Sequence, residues 1–66
     1  MTYEIGVMAG AIWRVLSDEE ETTLLKLKNT LSAQEPIFSW AIGWLSREDK
    51  IQITPVGATF RVRLRR

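Results

Sequence analysis

Cysteine and histidine are both absent from this 66-residue chain. Without thiols neither a disulfide nor a thiolate metal site can hold the fold together, and nothing requires an oxidising compartment. Without imidazole the most frequent general base and metal ligand is missing as well. No apolar run approaches the roughly 18 residues of a membrane span, and the N-terminus lacks the basic flank and long apolar stretch of a secretory signal. These absences point to a cytoplasmic protein with no membrane partner, no metal and no cofactor. Length narrows the reading further. A chain this short buries only about 60% of its unfolded surface, which leaves residues 1–66 as one domain and makes a deep enzyme cleft improbable.

What is present is ordinary in bulk, with 45% hydrophobic and 26% charged residues, but three tryptophans add large areas to a small core. The net charge of +1 conceals an asymmetry. Residues 1–35 hold six acids and three bases, whereas residues 36–66 hold two acids and six bases. Whole-chain charge gives no nucleic-acid signal, and the C-terminal half gives a modest one.

Periodicity divides the chain into helices first and strands last. Thr2 is placed to cap a helix whose stripe is Ile5, Met8, Ala9, Ile12, Trp13 and Leu16, so Trp13 is expected in the core. Gly6 and Gly10 lie four apart on one side, as if a neighbouring backbone approached there. Ser17 and the acids Asp18 to Glu21 break the period and read as a solvated turn that ends the helix. Thr22 and Thr23 suit a very short strand, with Thr23 capping a second helix on Leu24, Leu27 and Leu31. Pro36 fits the first turn of a third helix beginning near residue 35, with a core stripe of Phe38, Ala41, Ile42 and Leu45. Two helices joined by so short a connection make a helix-turn-helix.

Beyond Asp49 and Lys50 two segments alternate with period two, Ile51 to Thr54 and Phe60 to Leu64. A four-residue loop Pro55–Ala58 would pair Ile53 with Phe60 and Ile51 with Val62, matching polarity at every step. The fold class is therefore α+β: three helices followed by a β-hairpin wing, with a possible very short strand between the first two helices.

The stretches Ile5 to Trp13 and Ala41 to Ile51, with the leucine-rich Leu24-Leu25-Lys26-Leu27-Lys28, resemble a family of small stand-alone bacterial winged helix-turn-helix domains of unknown function. The resemblance covers nearly the whole chain. It implies a three-helix core and a wing over residues 51–64, and it carries no catalytic or ligand residues. Pro36 departs from the more ordinary polar capping segment of that pattern.

Function has to be read from faces. On an ideal helix Trp40, Gly43 and Arg47 fall within about 40° of the direction opposite Phe38, while Trp44 lies on a flank. A major-groove reader offers polar fingers to base edges, and here Arg47 and Ser39 qualify, with Ser46 less directly placed. A large aromatic directed outward, Trp40, suits another protein surface or a cover from its own chain, with Gly43 allowing close approach. Trp44 suits partial core packing or the same interface. Arg61, Arg63 and Arg65, with Arg66 and Lys50, form a basic stripe that either neutralises phosphates or protects a solvated strand edge. Arg65 and Arg66 also read as a frayed tail. The acidic run lacks the spacing and glycine of a calcium loop. Nothing resembles a nucleophile elbow or a glycine-rich phosphate loop, so the chain reads as non-enzymatic, with no small-molecule substrate. Two expectations remain: a DNA-binding winged helix, a transcriptional accessory holding nucleic acid through Ser39, Arg47, Lys50, Arg61, Arg63 and Arg65, and a protein-interaction module or homodimer using Trp40, Gly43 and Trp44.

Overall fold

Local sequence rules account for most of the six elements seen in the computed structural model, which describes residues 2–65. They are α1 (Thr2–Glu19), β1 (Glu21–Thr23), α2 (Leu24–Leu31), α3 (Ile37–Arg47), β2 (Ile51–Val56) and β3 (Thr59–Leu64). The strands form one antiparallel sheet in the order β1-β3-β2. The helices cover one face of it. Ala9, Ile12 and Leu16 from α1 meet Leu27 from α2, the α3 stripe, Ile51 and Val62 in a single core.

The expected stripe of α3 is observed in full, since Phe38, Ala41, Ile42 and Leu45 are all buried. Trp13 is a correction. It is 49% exposed rather than in the core. On an ideal helix it lies roughly 80° off the direction midway between Ile12 and Leu16, on the flank of the helix rather than in its buried stripe.

The acidic run is a second correction. α1 continues through Ser17, Asp18 and Glu19 instead of ending there. Acids in a last turn oppose the helix dipole by a few tenths of a kcal/mol each when exposed, less than the roughly 2 kcal/mol gained by burying Leu16 one turn back. The Ser17 hydroxyl also donates to the Trp13 carbonyl at 3.0 Å. Glu20, at φ +51°, then turns the chain into β1.

Thr23 closes β1 and opens α2 at once. Its backbone is extended, and its Oγ1 accepts the Lys26 N–H at 3.1 Å. At the far end Ser32 adopts φ +49°, its N–H reaching the Asn29 carbonyl while the Ala33 N–H reaches that of Lys28. That is a Schellman ending. The same arrangement ends α3, with Asp49 at φ +60° and the Lys50 N–H on the Leu45 carbonyl at 3.0 Å.

The hairpin register differs from expectation by two residues. Ile53 pairs with Val62, Ile51 with Leu64 and Val56 with Thr59, leaving only Gly57 and Ala58 as the turn. A shift of two keeps every side chain on its face, so matching polarity could not separate the two registers. Turn chemistry separates them. Gly57 takes φ +60° at the first central position, the place a tight hairpin turn of the II′ kind reserves for glycine.

β3 is also the central strand, not a charged edge, because β1 pairs along its other side: Glu21 with Arg63, Thr22 with Val62, Thr23 with Arg61. Its end is held rather than frayed, since the Arg65 N–H donates to the Lys50 carbonyl at 2.9 Å. Arg66 lies outside the described residues.

Two stability changes follow. The Thr22 hydroxyl is buried against the core and has no hydrogen-bond partner, so Thr22→Val should raise stability by about 1 kcal/mol in urea unfolding. Gly57→Ala meets no steric neighbour, yet its positive φ should make it cost about 1 kcal/mol in the same measurement.

Candidate functional site

Glu35 fixes the start of the third helix. Its Oε1 accepts the Ser39 N–H at 3.0 Å and the Ser39 hydroxyl at 2.7 Å, while Oε2 meets Lys28 Nζ at 3.1 Å. One carboxylate thus satisfies an N–H in the first turn of α3 and ties that turn to α2. These contacts hold its pKa below the ordinary value of 4.5, the Ser39 hydroxyl acting most strongly, then the Ser39 N–H and the Lys28 ammonium. The consequence for recognition is direct: the Ser39 hydroxyl, a candidate base contact, is already engaged inside the chain.

The rest of the outward face of α3 is sparse in polar fingers. Arg47 is exposed and makes no ion pair among the described residues. Trp40 beside it is 47% exposed, and Gly43 opens onto free space. Ser46 is exposed as well.

Arg61 and Arg63 lie on the face of the sheet away from the core, on either side of fully buried Val62. Successive outward residues of a strand are about 6.6 Å apart, close to the spacing of neighbouring phosphates. An acid sits among them. Glu21 meets Arg61 at 3.3 Å and is the cross-strand partner of Arg63. Arg65 is paired with Asp49 at 3.1 Å. All these partners are largely exposed, so the pairs hold weakly and a phosphate can compete for the arginines. Arg63, Arg47 and Lys50 have no such partner among the described residues.

On another side of the molecule α1 and α3 leave an open trough of about 350 Å³, lined by Gly6, Ala9, Gly10, Trp13, Trp44, Leu45 and Lys50. Trp44 is 46% exposed there, facing the trough rather than filling the core. A Cβ added at Gly6 or Gly10 would meet nothing within 4 Å. Among the described residues no backbone makes the close approach those glycines suggested. The placing of Trp13 and Trp44 on one trough was missed from the sequence, although both stand on the flanks of their helices.

A family model described as Winged helix-turn-helix domain (DUF2582) matches residues 1–64. The chain belongs to this family. No curated protein matches it. In a winged helix-turn-helix domain α3 is the recognition helix and the β2–β3 hairpin is the wing. Here the wing tip is uncharged from Thr54 to Phe60, with Val56 and Phe60 exposed. Its arginines stand nearer the base, beside β1. α3 and the outward arginines therefore belong to different surfaces, with Lys50 and the end of α3 between the helical layer and the wing. No group of carboxylates among the described residues is arranged to hold a metal ion, and no described helix is long and apolar enough to cross a membrane.

Because the folded-state pKa of Glu35 is depressed, its contribution to stability is present above pH 4.5 and is lost as the pH falls through the folded value. Glu35→Gln should lower the melting temperature near neutral pH, and the gap to the parent protein should close as the pH is taken below 4.5 and through the depressed folded-state value. Melting curves across that range check it; a gap constant with pH would show that the carboxylate charge contributes nothing.

Proposed function

We propose that this winged helix-turn-helix domain binds DNA as a transcriptional accessory, gripping phosphates with little reading of bases. One observation carries the proposal: Arg61 and Arg63 project side by side from the central strand onto an exposed sheet face. Lys50 and Arg47, exposed and unpaired among the described residues near the C-terminal end of α3, extend the cationic surface toward the recognition helix. A few arginine–phosphate contacts give weak, strongly salt-dependent affinity. Base readout is thinly provided, since Arg47 is the one long polar side chain on the outward face of α3 and Ser39 is held by Glu35. The role is that of a binding module. A second reading, docking of a protein on the tryptophan face, is favoured by the half exposure of Trp40 and Trp44.

Fluorescence anisotropy with a short labelled duplex tests the DNA reading. At about 50 mM salt binding should be detectable, with log K falling against log salt with a slope of roughly −2 to −4, as expected for two to four phosphate contacts. Arg61→Glu with Arg63→Glu should abolish it. Glu21→Gln should tighten it a few-fold, because Glu21 competes with phosphate for Arg61. No binding at that salt concentration would remove the proposal, and a preference above about tenfold among unrelated duplexes would shift it to base recognition.

A further inference from the structure

Among the described residues, five of the eight large exposed hydrophobic residues lie on α1 and α3, the others being Leu25 on α2 and Val56 and Phe60 on the wing. Trp13 and Trp44 face the trough between α1 and α3, and Trp40 stands one turn from Trp44. Val7 and Tyr3 continue the exposed face of α1 past Gly6 and Gly10. Lys50 is the one charged residue lining the trough. We propose that this surface is the contact face of a symmetric homodimer, in which the α1–α3 troughs of two copies pack on one another.

Three observations select a second copy as the occupant. The first is area. The exposed parts of the three tryptophans with Val7 and Tyr3 come to on the order of 500 Å² per copy, so a symmetric pair buries about 1,000 Å², the threshold of a specific interface. The second is shape. A self-associating face must carry projection and recess together, because a two-fold axis lays each patch on its own copy. Here the indoles project beside a recess floored by Gly6 and Gly10, where a methyl group added at either glycine would meet nothing within 4 Å. The third is breadth. A single peptide helix seated in the trough would leave Tyr3, Val7 and Trp40 bare, whereas a second copy of the domain is wide enough to cover them. The outward sheet face with Arg61 and Arg63 is not part of this surface, whereas Lys50 lines the trough, so the dimer leaves the two strand arginines open to phosphate and covers Lys50.

Sedimentation velocity and equilibrium on the full chain test the proposal. The parent protein should pass from monomer to dimer in the micromolar range, with tryptophan emission shifting to the blue as it does so. Gly10→Glu replaces a helix-weakening residue at an open position, so the monomer should keep its helix content while the dimer dissociation constant rises at least about tenfold. Trp40→Glu, on the exposed face of α3, should do the same. Arg61→Glu with Arg63→Glu should leave the dimer intact. A parent protein still monomeric at about 500 µM would overturn the proposal, as would a dimer whose dissociation constant is unchanged in both Gly10→Glu and Trp40→Glu.

Discussion

Val62 occupies the position on which the rest of the domain depends. It is fully buried in the middle strand, with Thr22 of β1 on one side and Ile53 of β2 on the other, and the helical layer packs above it. Fixing this residue inward fixes the parity of β3, which turns Arg61 and Arg63 outward together. Its pairing with Thr22 also brings Glu21 beside the arginines. Local propensity could supply each helix, but the assembly of sheet and helices rests on this one row of side chains.

The fold was legible in the sequence wherever a periodic stripe had one possible partner. Phe38, Ala41, Ile42 and Leu45 span a narrow arc and are buried together, and Thr23 caps α2 as its chemistry requires. Legibility failed where two arrangements share one pattern. A two-residue change of register is invisible to period-two reasoning, and only the positive φ at Gly57 distinguishes the outcomes. It failed again at Trp13, because hydrophobicity marks a residue as apolar without saying whether a neighbour exists to cover it. The central place of β3 was hidden because three residues of β1 carry little sequence signal, yet they convert an edge into a middle strand.

The candidate site was legible as residue types and not as circumstances. Arg61, Arg63, Arg65, Lys50, Arg47 and Ser39 are all exposed. Glu21, Asp49 and Glu35 engage three of them; Glu21 and Asp49 lie distant in sequence from their arginines, while Glu35 stands four residues before Ser39 at the start of α3. An arginine count therefore overstates the free positive charge of this surface. The same holds for the tryptophans in reverse. Trp13 and Trp44 are ordinary apolar residues on separate helices until packing sets them on a shared trough, where their exposure becomes informative.

All three described helices end on a residue in the left-handed region, and none of the three is glycine: Glu20, Ser32 and Asp49. Such a backbone costs a side-chain-bearing residue roughly 1 kcal/mol relative to glycine, in a domain whose whole stability is only a few kcal/mol. The chain has thus settled at sufficiency rather than at its optimum. Those helix ends are a reserve: a mutation there can offset damage elsewhere, which leaves the exposed faces freer to change their partners over evolutionary time.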